Sequence, residues 1–254
     1  MLDFGSFKLP NGTPDHPHRG FETVSYMKKG TIYHEDFLGN KGVLEAGDCQ
    51  WMTTGRGIVH SEMPGSWEEE SRGFQLWINL AAKDKFCEPG YQEIKRDLIP
   101  TAKKDGVTAK VIAGESLETK GPIFARTPAF YLDVEMDKNT KFEQIIPKGW
   151  NAFSYVYEGE AHFSNTKVKV AQNRCVVLKK DDNDILVIET QNENAKFLLL
   201  AGKPLNEPIV SYGPFVLNTQ EELLQAFEDY QHGKNGFENA LAWKSQNRLM
   251  AKKN

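Results

Sequence analysis

Three cysteines, at positions 49, 87 and 175, are all that the 254 residues contain, and no two of them form a CxxC pair. An odd, widely spaced set builds neither a disulfide framework nor a thiolate metal site, so free thiols in a reducing compartment are expected. Cys49 and Cys175 stand in strand-like apolar runs and read as core residues. No apolar stretch approaches the roughly 20 residues of a membrane-spanning helix, and no basic-plus-apolar leader opens the chain. The expectation is a soluble intracellular protein of the cytoplasm, the nucleus or both. Positive charge is not in excess: 31 Lys and Arg against 35 Asp and Glu leave a net charge of −4. That removes any broad electrostatic grip on nucleic acid. The runs Glu68-Glu69-Glu70, Lys179-Lys180-Asp181-Asp182 and Lys252-Lys253 read as solvated turns and a tail. GxSxG, the phosphate loop, the dinucleotide fingerprint and a Cys/His nucleophile pair are all missing. Any chemistry here belongs to a metal.

Donors for one are present between Asp15 and Glu62. The stretch opens DHPHRGFETVSYMKKG and closes GDCQWMTTGRGIVHSEMPG, so a His-x-His (His16, His18) is followed by a His-x-Glu (His60, Glu62). Both pairs lie in extended runs, where side chains two apart point the same way. Two neighbouring strands would thus aim three imidazoles and one carboxylate at one point, a set that suits a divalent first-row metal. Gly47, Gly55 and Gly57 bracket His60, and Gly30 follows the first pair. Of the other histidines, His34 shares a strand face with Ile32 and Asp36 and reads as structural, His232 falls at a helix C-terminus, where positive charge is favourable, and neither His232 nor His162 is a candidate ligand.

Along the chain, short alternating runs separated by glycine turns predict strands at Thr23 to Met27, Thr31 to Phe37, Val43-Leu44, Gln50 to Met52 and Phe74 to Leu80. Such spacing argues for an antiparallel barrel or sandwich. Pro89 to Gly106, with Pro100 and Lys103-Lys104-Asp105-Gly106, reads as a linker. It divides the chain into residues 1–100 and a second strand-rich unit, 107–254, that ends in helices. Laying Gly159 on Gly30 makes the second unit a worn repeat of the first, with Ile145 and Pro147 in the places of His16 and His18. Glu189 is then a counterpart for Glu62. Thr219 and Glu222 form a capping-box sequence, with Leu223, Leu224, Phe227 and Tyr230 on one helical face and Gly233 as its stop. A second helix is expected over Gly236 to Met250.

The runs PDHPHRGFETVSY, HEDFLG, GDCQWMTTGRGIVHSEMP and FQLWINL resemble those of the pirin family of the cupin superfamily, and so do KDGVTAKVIAGE, RTPAFYLD, IPKGW, GPFVLNT and KNGFENALAWKS. The resemblance runs nearly the whole length, except that pirins carry a few dozen residues before LDFGSF, so it implies that the first barrel lacks its opening strand or strands. It implies an all-β fold of two antiparallel cupin (jelly-roll) barrels with short C-terminal helices. One Fe(2+) is implied in the first barrel on His16, His18, His60 and Glu62, and none in the second. Glu22 occupies the place of the glutamate in the general cupin motif HxH-x3-E and becomes a candidate for supporting the ligands. Met52, Gln75 and Trp77 are candidates for lining a substrate pocket, and Arg19 and Arg56 for orienting ligands. Two functions are implied. One is quercetin 2,3-dioxygenase-type cleavage of a flavonol by dioxygen, with Glu62 as catalytic base. The other is a non-enzymatic, redox-sensing nuclear iron protein that acts as a coregulator through transcription-factor partners. A monomer without direct contact to nucleic acid or membrane fits both.

Overall fold

The computed structural model describes residues 1–163, 168–178 and 185–252. The Lys179–Asp182 run and Lys253 lie outside the described residues. Two compact units divide the chain at Arg96/Asp97: Met1–Arg96 together with Asn206–Asn254, and Asp97–Leu205.

In the first unit the strands are β1 (Leu2–Phe7), β2 (Thr13–His18), β3 (Phe21–Lys29), β4 (Thr31–Asp36), β5 (Lys41–Glu45), β6 (Cys49–Thr53), β7 (Ile58–Pro64), β8 (Ser71–Asn79) and β9 (Gly90–Ile94). They form two antiparallel jelly-roll sheets, β1-β8-β3-β6-β9 and β2-β7-β4-β5. In the five-stranded sheet, β3 from Phe21 to Met27 and all of β6 are buried on both faces: Val24, Tyr26, Trp51, Phe74 and Leu76 share one face, and Ser25 and Gln75 lie on the other. Every residue of β7 is buried. A strand buried on both faces needs cover on both, and the C-terminal segment supplies it. Ile58 and Val59 share an apolar cluster with Phe215, Leu217, Leu223 and Phe237.

The second unit holds β10 (Thr101–Lys104), β11 (Val107–Ala113), β12 (Glu115–Ser116), β13 (Thr119–Lys120), β14 (Ala129–Met136), β15 (Lys141–Ile145), β16 (Asn151–Phe163), β17 (Val168–Ala171), β18 (Arg174–Leu178), β19 (Ile185–Glu189) and β20 (Ala195–Gly202). Its main sheet runs β10-β11-β14-β20-β16-β19-β15 around a core that includes Val111, Leu132, Val134, Phe142, Phe163, Phe197 and Leu199.

The span 89–106 does contain the division between the units, at Arg96/Asp97, but much of it is strand rather than open linker. Gly90–Ile94 pairs with β6, and Thr101–Lys104 pairs with β11. Asp105 and Gly106 form the intervening two-residue turn with φ of 45° and 79°, the doubly positive geometry that strand twist favours in a tight hairpin. The turn chemistry that looked like a boundary closes a hairpin instead.

The C-terminal elements also differ from expectation. β21 (Val210–Tyr212) pairs with β22 (Phe215–Leu217), and α1 spans Gln220–His232. Both the Thr219–Glu222 capping box and left-handed Gly233 are in place. The segment from Asn206 onward belongs to the first unit, not to the second, because its apolar face closes over β7. Residues 236–246 are turns rather than a helix, followed by a short 3₁₀ turn at Asn247–Ala251. Phe237 and Ala240 are buried, but Gly236, at φ 111°, stands where a helix would have to start.

The repeat register needs correction as well. On β15 the buried residues are Phe142 and Gln144, while Ile145 is 64% exposed and so faces away from the barrel interior. A slip of one residue flips every side chain to the other face. Ile145 pairs with Ile185, so laying His16 on Ile145 would put Glu62 on Val187, and the Glu189 correspondence cannot hold with it. The inward pairs are Phe142–Ile188 and Gln144–Leu186, which offer one carboxamide. Cys49 is buried, whereas Cys175 is exposed on β18 rather than in the core.

Candidate metal centre

His16 and His60 are directly opposed on β2 and β7, and His18 follows His16 by one full pleat. The three side chains therefore leave one face of the four-stranded sheet together. Their donor nitrogens lie within 4.8 Å of one another, and among the described residues this is the one such grouping of three. His16 Nε2 stands 2.9 Å from His18 Nε2. Two nitrogens bound at about 2.1 Å and at right angles on one ion stand about 3 Å apart, so this spacing suits a shared cation.

Tautomer and charge point the same way. His16 Nδ1 donates to the Pro14 carbonyl at 2.8 Å, which leaves Nε2 with its lone pair free to bind a metal. His60 is 1% exposed, and neither of its ring nitrogens has a hydrogen-bond partner among the described residues. Buried polar atoms are rarely left so, and a ligand explains the exception. Burial pushes His60 well below the ordinary histidine range, and nearby His16, His18 and His34 add to that. Burial and then His16 do the same to His18, against a smaller opposing hydrogen bond to the Pro214 carbonyl. Neutral imidazoles are what a divalent cation requires. The three histidines fit a metal.

Glu62 is buried but stands outside this cluster. Its carboxylate accepts from Ser25 Oγ at 3.0 Å and from Gln75 Nε2 at 2.9 Å. Ser25 and Gln75 are themselves cross-strand partners on the five-stranded sheet, so the carboxylate is held from across the barrel. Gln75 in turn accepts from Trp77 Nε1 at 3.3 Å. The Trp77 ring lies edge-on to His18, with centroids 5.3 Å apart, and against Phe21 at 4.3 Å. A cavity of about 190 Å³ reaches Glu62, Ser25 and Gln75 between apolar walls that include Met27, Ile32 and Phe74.

The remaining candidates divide. Met52 is not a pocket residue: it is fully buried in the apolar cluster with Phe37, Ile58 and Phe215, because β6 turns that side chain into the core. Trp77 is beside the histidines but not on the cavity wall. Glu22 is fully buried and accepts from Thr53 Oγ1 at 2.8 Å across the sheet. His34 lies 2.7 Å from Glu93 and is no part of the donor cluster. Arg19 is buried against Asp229, while Arg56 meets Glu88 at the surface. Ser25 was missed. It is visible in sequence as an inward position of β3, but nothing local links it to a glutamate 37 residues on.

With the geometry in place, comparison with known proteins is informative. A family model described as "Pirin" matches residues 3–78, and one described as "Pirin C-terminal cupin domain" matches 131–236. The chain is 49% identical to a pirin-like protein of Solanum lycopersicum, over 97% of this chain and 84% of that one. It is 47% identical to the pirin of Homo sapiens, over 97% and 86%. Among solved structures, the quercetin 2,3-dioxygenase of Acinetobacter baumannii superposes with a TM-score of 0.85 at 33% identity, covering 93% of this chain and 85% of the other. Two family matches, and near-half identity along almost the whole chain, leave one conclusion: the chain belongs to the pirin family.

Proposed function

We propose that the chain is a mononuclear iron protein with quercetin 2,3-dioxygenase-type activity, using His16, His18 and His60 as ligands to Fe(II), with Glu62, held by Ser25 and Gln75 outside the histidine cluster, as the fourth. The observation that carries this reading is the convergence of three imidazoles, two of them buried and one half-buried, beside a carboxylate that faces a cavity. Likeness to the Acinetobacter baumannii quercetin 2,3-dioxygenase supports it. When bound, the iron supplies open coordination positions and redox capacity for oxygenolytic cleavage of a flavonol.

The chain's own residues do the rest. The three histidines are committed to the ion through lone pairs and leave no free base among themselves. Glu62 receives the proton of the substrate hydroxyl on its carboxylate. Ser25 and Gln75, which donate to that carboxylate, hold it in place. Met27, Ile32 and Phe74 supply apolar wall for an aromatic ring and keep water away.

The test is metal analysis of anaerobically purified protein, followed by oxygen uptake with quercetin. Stoichiometric iron with quercetin-dependent uptake is the expected outcome. Full ferrous loading without uptake would overturn the dioxygenase and favour the redox-sensing nuclear coregulator, which needs the same ligands.

A further inference from the structure

The residues that flank the histidines are tied, one after another, to the C-terminal segment of the same unit. Asp15, just before His16, accepts from the Ser245 backbone N–H at 3.3 Å. Arg19, just after His18, is 1% exposed, and its backbone exchanges hydrogen bonds with Pro214 and Val216. Its guanidinium is engaged on three sides. Nη1 donates to Asp229 Oδ2 at 2.8 Å, Nη2 to the Asn235 carbonyl at 2.8 Å, and Nε to the Arg56 carbonyl at 2.6 Å, in the loop that leads to His60. Asp229 is fixed in turn by Gln225 Nε2 at 2.9 Å and Asn235 Nδ2 at 2.8 Å. The Phe237 ring lies 4.7 Å from the guanidinium carbon and also closes on Gly57, where a Cβ would stand 2.8 Å from it.

A buried ion pair is a costly way to fill space, since apolar residues of similar volume often stabilise a fold as well or better. What a guanidinium adds is direction. Its donors lie in one rigid plane and fix three partners relative to each other. Here those partners are the loop before His60, the end of α1 and the turn that follows it, and Arg19 ties all three to the strand end that carries His18.

We propose that Arg19 and Asp229 are positioning residues for the metal centre: their buried pair sets His18 against His60, and through it the C-terminal segment tunes metal affinity. The proposal rests on reading His16, His18 and His60 as a metal site, and it concerns residues that touch neither metal nor substrate.

Cobalt(II) titration of the metal-free full-length chain tests it, because the visible band of bound cobalt reports coordination geometry. Asp229→Asn keeps volume and an acceptor but removes the charge. It is expected to weaken cobalt binding by about tenfold and to change the band. Ile94→Ala, a cavity in β9 of the same unit, is expected to lower the unfolding midpoint while keeping wild-type affinity and band. Gln225→Ala removes one partner of Asp229 from an exposed helix position, and should shift affinity the same way by a smaller factor. Wild-type affinity and band in both Asp229→Asn and Gln225→Ala would overturn the proposal. So would equal weakening in Ile94→Ala, which would make the effect one of global stability. Wild-type protein that binds no cobalt overturns the metal reading itself.

Discussion

Gln75 donates from Nε2 to the Glu62 carboxylate at 2.9 Å, from the opposite sheet of the barrel and from 13 residues away in sequence. The amide is oriented by Trp77 Nε1 on its oxygen, so the nitrogen has to face Glu62. An ordered carboxylate is thereby aimed at the cavity rather than left to solvent.

Gln75→Leu keeps bulk but leaves Glu62 with Ser25 as its remaining side-chain donor among the described residues. Loss of a hydrogen bond to a buried charge is expected to cost about 1–3 kcal/mol in urea denaturation. Oxygen uptake with quercetin should fall as well, because the base loses its alignment. Trp77→Phe, which keeps the ring beside His18 and Phe21, should give a milder form of the same defect.

Glu62→Gln retains an oxygen but removes the charge. The three imidazoles should still bind iron, measured as metal per chain, while turnover falls by about 100-fold or more, as for loss of a general base. Wild-type turnover with full iron in this variant would show that Glu62 is not the base.

Metal stoichiometry is expected to be one per chain. His60→Ala should remove it, since that ring carries two buried nitrogens with no other partner among the described residues. In the second unit, the inward pairs Phe142–Ile188 and Gln144–Leu186 offer no comparable donors. A second equivalent that survives His60→Ala, measured by elemental analysis, would contradict this.

The folded-state pKa values of His18 and His60 are depressed, so the unfolded chain takes up their protons first as pH falls. The contribution of these two histidines to the stability of the metal-free protein should be flat above about pH 7 and decline below about 6.5, the unfolded histidine value. The decline continues until the folded pKa values are reached, at up to about 1.4 kcal/mol per pH unit for each histidine. Urea denaturation at pH 7.5 and 5.5 measures it, and His60→Gln should flatten the slope.

Thr219→Ala removes the hydroxyl that accepts from Glu222 N–H at the start of α1. A cost of about 1 kcal/mol is expected in urea denaturation, with the loss falling on the first unit. Helix packing over β7 makes that unit the one affected.

What the sequence determined by itself was local. Alternation with period 2 placed the strands, and the same period put His16 with His18, and His60 with Glu62, on shared faces. The Thr219–Glu222 box and Gly233 bounded α1 because capping acts within one turn of backbone. Tertiary structure decided everything that depends on which surfaces meet. Asp229 lies 210 residues from the arginine it neutralises. Ser25 and Gln75 reach Glu62 only because two sheets face one another. Met52 alternates correctly for a pocket, yet the C-terminal segment covers that part of the barrel and turns it into core. Ile145 shows the same limit in the second unit, since a one-residue choice of register, invisible in an apolar run, decides which face is inside. Periodicity specifies a face of a strand, and only packing specifies what that face meets.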